Sequence, residues 1–133
     1  MALLSTELQK LSNVVKHEYG IDYAYCRKEV TVNDTAGTLA IGTVLGKVTA
    51  TGKYKRAVET AVDGSKVGAA IVVSAKTIAG TTDTAVLCMV RGPASVNKSG
   101  LVYDATYDND TKKNVLFADL ETLGVQVLTS ATE

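Results

Sequence analysis

The hydrophobic and polar positions change period several times along this chain. Near the start, Leu4, Leu8, Leu11 and Val15 recur at steps of four, three and four. That spacing lines them along one face of a helix. Ser5 offers a side-chain oxygen to the first free amides, Glu7 lies near the positive end of the helix dipole, and Gly20 is a natural stop. The pattern predicts an N-terminal helix over residues 2–18. Two uses of its leucine stripe stay open: packing on its own domain, or docking on a partner or a symmetry mate. A short terminal helix needs one such surface to bury against.

The period then shortens to two. Residues 21–25 alternate weakly, and residues 29–33 alternate better, with Val30 and Val32 facing one way. Residues 33–37 read as a loop. The centre of the sequence is residues 42–73. Strand-like residues 38–49 are interrupted by Gly42 and Gly46, and glycine inside a strand marks a bulge or a bend. Ala50-Thr51-Gly52 fits a short hairpin turn with Gly52 left-handed, and Asp63-Gly64 is a second turn pair. Gly68, Ala69 and Ala70 let another backbone approach closely. They lead into a strand over 69–75 with little alternation, as expected of a strand buried on both faces.

Residues 79–83 form a loop, and residues 84–91 a strand. At Gly92-Pro93 regular pairing ends, because proline lacks the amide donor. Residues 97–100 are a turn and 101–103 a short strand. Asp108, Asn109 and Asp110 supply caps and acids for a helix whose apolar face is Leu116, Phe117, Leu120 and Leu123, with Gly124 as its stop. Residues 125–128 close the pattern as a strand, and the last five residues are expected to be loose. The division is a helical arm over residues 1–20 and a β-rich domain over 21–133, with no internal repeat.

Composition narrows the function classes. At 133 residues the chain is one domain by length. Fourteen basic residues balance fourteen acidic ones, against the basic excess of a nucleic-acid surface. Lys47, Lys53, Lys55 and Arg56 cluster in sequence, but Glu59 and Asp63 lie close by, so a solvated hairpin face is expected. Aromatic content is 5%, without Trp, which leaves few platforms for stacking bases or sugars. No secretory leader is expected, and no apolar run approaches the roughly 20 residues that span a bilayer. Cys26 and Cys88 need not pair, and Cys88 lies in an apolar run where it reads as a small buried hydrophobe. A chain made in a reducing cytoplasm is expected.

Candidate chemistry is sparse. His17 is the single histidine, and no motif surrounds it or Cys26. A nucleophile–base pair would have to use it. One His, two distant Cys and scattered acids lack metal-ligand spacing. The acids at 104, 108 and 110 lack the order of a calcium loop, and capping explains them. The phosphate-binding glycine motifs are missing as well. The expectation is no catalytic residue, no metal and no cofactor.

A family resemblance supplies what the chemistry does not. Thr43-Val44-Leu45-Gly46-Lys47, Gly52-Lys53-Tyr54, and Asp63-Gly64-Ser65 with Val67-Gly68 and Ile71 follow one another in order. Val90-Arg91-Gly92-Pro93-Ala94 with Val96-Asn97, and Asp110-Thr111-Lys112-Lys113 opening the late helix, extend the series. In order and spacing these resemble the phage head-decoration proteins of the lambda type, over roughly residues 29–128. The resemblance implies a mainly β (α+β) fold, a bent β-ribbon or β-clip-like partial barrel with one short C-terminal helix, to which the leucine periodicity of this chain adds an N-terminal helix. It implies a homotrimeric capsid cement protein, not an enzyme. Such a protein sits on the outer surface of the virion and clamps the major capsid protein of the expanded head at three-fold and quasi-three-fold positions. No direct nucleic-acid or membrane contact is implied. On the family's use of its N-terminal segment, Leu3, Leu4, Leu8, Leu11 and Val15 are the expected capsid or subunit contacts. Ile21, Tyr23 and Tyr25 form a possible added strand. Gly46, Gly52, Gly64, Gly92 and Pro93 are the expected structural turns. The chain departs from the type in its leucine-striped arm, where a Pro- and Thr-rich run is usual. It departs again at Val102 and Tyr103, which stand where relatives carry Trp then Pro. Two other classes remain open: another virion module such as a tail component, and a trimeric β-clip nucleotide hydrolase.

Overall fold

The computed structural model describes residues 15–18, 26–80 and 82–128. Among these residues ten strands and one α-helix follow in order: β1 (Val15–Glu18), β2 (Arg27–Val32), β3 (Gly37–Leu39), β4 (Val44–Lys47), β5 (Tyr54–Arg56), β6 (Gly68–Val72), β7 (Lys76–Ile78), β8 (Thr84–Met89), β9 (Ala94–Asn97), α1 (Asp110–Thr122) and β10 (Val125–Leu128). A 3-10 turn over Lys98–Gly100 follows β9.

Five strands close into a small barrel in the order β2-β5-β4-β6-β8, with β8 returning to β2. The β2–β8 pairing is long and antiparallel, from Arg27 opposite Met89 to Val32 opposite Thr84. The β2–β5 seam is parallel and holds a single pair, Val32 with Tyr54. The expected bends explain the closure. Gly42 turns the chain between β3 and β4, so β3 leaves the barrel and pairs with β7 as a separate ribbon. At Leu45–Gly46 the β4–β6 register slips, leaving Ala69 as an extra residue on β6, and a bulge increases local twist.

Two cores share the barrel wall. Val30, Val32, Leu45, Ala70, Val72, Val86 and Cys88 fill the barrel, and Leu39 and Ile78 of the β3–β7 ribbon pack onto them. Val44, Ile71 and Met89 face outward from the same strands. They join Leu116, Phe117 and Leu120 of α1, Val96 of β9 and Val125 of β10 in a second core. This is why β6 shows no alternation: Ala70 and Val72 point in, Ile71 points out, and all three are buried. Each fully buried Leu or Ile contributes about 2–3 kcal/mol of transfer free energy.

Helix α1 begins where the sequence places it. Asn109 is its N-cap, with Oδ1 accepting from the Lys112 amide at 2.9 Å. It ends at Leu123, and Gly124 follows at φ +90°. The expected apolar face is the buried one, with Leu123 half-buried beside it. Tyr103 packs edge-on against Phe117 and Tyr107, and the Tyr107 hydroxyl donates to the Lys66 carbonyl at 2.7 Å.

The structure corrects three expectations. Residues 15–18 are a strand, not the end of a helix: β1 pairs antiparallel with β9, Val15 opposite Val96, and ladder bonds to β9 replace the helical ones. The rest of the expected N-terminal helix lies outside the described residues. Pairing does not end at Gly92-Pro93 but resumes at once as β9, the central strand of a three-stranded sheet β1-β9-β10. Residues 101–103 contribute only one isolated bridge, Val102 with Thr43.

Candidate interaction surface

Three of the four basic residues of the β4–β5 hairpin are balanced locally, while Lys47 lies over the Tyr54 ring at 5.9 Å. Lys53 pairs with Asp83 at 3.0 Å, Lys55 with Asp63 at 3.6 Å, and Arg56 with Asp34 at 3.0 Å. The last pair is the most enclosed, and Asp34 Oδ2 also accepts from the Arg56 amide at 2.9 Å. It stitches the loop after β2 to β5. The hairpin therefore carries little net field, as a solvated face should.

A cavity of about 260 Å³ opens beside this pair, with Arg56, Tyr103 and Asp104 among its lining residues. Its charged groups are already committed. Arg56 holds Asp34, and Asp104 Oδ2 accepts from the Thr106 amide at 3.0 Å and its hydroxyl at 2.8 Å. No nucleophile and base converge there. Among the described residues, no three His, Cys, Asp or Glu side chains gather closely enough to hold a metal ion. Neither cysteine is in a disulfide: Cys26 lies in the second core and Cys88 in the barrel. Burial pushes the Cys88 thiol up to about 12, so it carries no reactive thiolate at neutral pH. No helix among the described residues is long and apolar enough to cross a membrane.

Apolar contact surface is present instead. Val62 is fully exposed (101%), and Val67, Val102 and Val115 are at least two-fifths exposed. The first two lie on the loop over residues 57–67 that joins β5 to β6. That loop is tied down rather than free: the Thr49 amide donates to the Asp63 carbonyl at 2.9 Å, and Asp63 Oδ1 accepts from the Ser65 hydroxyl at 2.6 Å. The bonds from the Ser65 hydroxyl and the Ser65 amide hold the Asp63 carboxyl below its usual range. Between the loop and the hairpin runs an open groove of about 440 Å³, lined by Lys47, Thr49, Gly64, Val67 and Ala69.

Of the residues expected to make contacts, Val15 is described. It is half-buried, packs against the second core and pairs with Val96, so it fastens the arm to its own domain. Leu3, Leu4, Leu8, Leu11, Ile21, Tyr23 and Tyr25 lie outside the described residues. The expected turn residues serve as turns or close approaches. Gly52 (φ +73°) closes the hairpin, its amide bonding the Val48 carbonyl at 2.8 Å. Gly64 follows Asp63 at φ +99°. Gly46 lies at the bulge against Ser65. Gly92 lies against Gly124, and its bond to Pro93 is cis. Val62 was not singled out from the sequence, and Val67 entered only through the family resemblance, because lone valines in a polar loop carry no periodicity.

A family model described as bacteriophage lambda head decoration protein D matches residues 5–125. No curated protein matches the chain. The matched span begins within the arm and runs through the barrel, the ribbon, β9 and α1 to the first residue of β10.

Proposed function

Because the chain belongs to the bacteriophage lambda head decoration protein family, we propose that it acts as a trimeric cement protein. Membership makes it a structural protein of the phage virion, carried on the head. In our reading it binds the expanded shell at three-fold and quasi-three-fold positions and clamps neighbouring major capsid subunits against the pressure of packaged DNA. It does so by contact alone and performs no reaction.

The observation that carries this reading is the family match over residues 5–125, which takes in the arm from residue 5 onward. The physical layout is compatible with it. A cement protein needs contact area rather than a polar pocket. A trimer on a three-fold site also repeats a modest contact three times, so avidity replaces a strong single interface. The arm over residues 1–20 supplies the reach, with Leu3, Leu4, Leu8 and Leu11 as capsid or subunit contacts and Val15 at its root on β9. Ile21, Tyr23 and Tyr25 are a second contact segment on the return to the barrel.

Co-sedimentation of the purified protein with expanded heads lacking it, and with unexpanded procapsids, tests the reading. Saturable binding to expanded heads alone, at three copies per site, is the expected outcome. A folded protein that binds neither shell overturns it and returns the tail component and the hydrolase to consideration.

A further inference from the structure

Asp63-Gly64 is the one Asp-Gly pair in the chain, and Asn-Gly does not occur. Such a pair is chemically labile. The glycine nitrogen attacks the Asp side-chain carbonyl carbon: an N–Cγ bond forms, the Cγ–O bond breaks, and water leaves. Water then opens the five-membered imide at either carbonyl. Opening at the backbone carbonyl routes the main chain through Cβ and Cγ. The product is isoaspartate, one methylene longer in its backbone and unchanged in mass. Glycine as the second residue favours the attack, because no side chain shields its nitrogen.

The turn holds the groups that this reaction must move. Asp63 Oδ1 accepts from the Ser65 hydroxyl at 2.6 Å and from the Ser65 amide at 3.1 Å, and Oδ2 lies 3.6 Å from Lys55 Nζ. The Asp63 carbonyl accepts from the Thr49 amide at 2.9 Å. Ring closure brings Cγ and the backbone carbonyl carbon onto one nitrogen. It therefore turns the carboxyl out of both Ser65 bonds and strains the carbonyl's bond to Thr49. The surroundings leave little room for that. Ser65 is fully buried with its carbonyl against Gly46, and a Cβ at Gly64 would sit 2.2 Å from Thr49 Oγ1. The ionised carboxylate is also the unreactive form, having no hydroxyl to lose as water. By holding the carboxyl below its usual range, the Ser65 bonds leave less of it protonated at a given pH.

We propose that Ser65 guards the Asp63-Gly64 bond: its hydroxyl and amide hold the Asp63 carboxylate out of ring-closing geometry and so keep the folded chain from ageing to isoaspartate. A protein carried on a virion is not renewed, so such a lesion accumulates wherever it is not prevented.

The test ages the full chain in warm neutral buffer, native or unfolded in guanidinium chloride. Isoaspartate is read in the tryptic peptide over residues 57–66 as a shift in retention without a change in mass. The native wild type is expected to convert at least about tenfold more slowly than the unfolded chain, since a reacting pair held out of attack geometry loses rate steeply. Ser65→Ala, shown by its melting curve to be folded, is expected to regain most of that rate. Asp63→Asn keeps a side-chain oxygen for Ser65 and forms the same imide with loss of ammonia, a conversion read by mass. It is expected to be slowed about tenfold by folding as well, which separates geometry from charge. A native wild type that converts as fast as the unfolded chain overturns the proposal. So does a folded Ser65→Ala protein that converts no faster than the wild type, because the hydroxyl is then a bystander or a catalyst. Should Ser65→Ala fail to fold, equal native and unfolded rates for Asp63→Asn overturn it instead.

Discussion

Two glycines separate two reasons for having no side chain. At Gly46 the reason is space: a Cβ there would sit 1.9 Å from the Ser65 carbonyl oxygen, against backbone that cannot rotate away. At Gly52 space is free, with the nearest atom 3.9 Å off on the Lys47 side chain, and the reason is φ +73°. The expected costs differ accordingly. Gly46→Ala should cost about 2–3 kcal/mol or more by forcing the bulge apart. Gly52→Ala should cost only about 1 kcal/mol of left-handed strain, and Gly52→Asn less. Urea midpoints of the two alanine variants check the ranking; equal midpoints would count against it. Both positions were legible in the sequence, because Gly within a strand pattern and Gly after Ala-Thr are local signals. Val62 and the Lys47 rim were not, since exposure and grooves arise only once distant loops meet.

At the scale of elements, the helix shows how local and tertiary signals combine. Its cap, its apolar face and its stop were all readable, because each is set within a few residues. Its fastening to the barrel was not. Asp119 Oδ2 accepts from the Gly68 amide at 3.2 Å and so pins α1 to the start of β6. Desolvation by burial raises the Asp119 carboxyl above its usual range, against the lowering effects of that bond and of Lys66. A raised acid binds its proton more tightly when folded. Its contribution is therefore present below the ordinary carboxylate range and is lost as pH rises through the raised value. Asp119→Asn keeps an acceptor for Gly68 and removes the charge. It is expected to melt higher than the wild type at pH 7, with the gap closing on acidification. Asp119→Ala should instead lose about 1 kcal/mol by stranding the amide. Melting curves of both variants from pH 3 to 7 decide it; an asparagine variant no more stable at neutral pH would refute the assignment. Strands β1 and β9 were misread for the converse reason. Four residues after a proline carry too short a pattern, and residues 15–18 share a helical stripe with what precedes them. Only their pairing with each other makes them strands.

At the scale of the whole molecule, the sequence conveyed a bent, mainly β body with a partial barrel and a late helix, but not which strands close the barrel. Closure joins residues far apart in the chain, Val32 with Tyr54 and Arg27 with Met89, and no local period encodes that. The position of β1 also refines how the arm should be tested. Removing residues 2–18 would strip a strand from β9, whereas removing residues 2–14 spares it. The shorter deletion is expected to leave the melting temperature within about 2 °C of the wild type. On the proposed trimeric reading it should still weaken head binding at least about tenfold, because avidity across three arms would be lost. Unchanged binding would take the arm out of the contact. The closed barrel has a mechanical corollary. A thin-walled tube resists twisting far better than the same wall slit along its length, because shear can circulate around it. Here the circuit is completed by a join one residue pair wide, reinforced by the Asn33 amide on the Tyr54 carbonyl at 2.9 Å and by the Asp34–Arg56 clasp. The torsional stiffness of the barrel thus depends on that narrow weld. Under a twisting load the shear carried per bond is highest at that weld, and the clasp acts as its rivet.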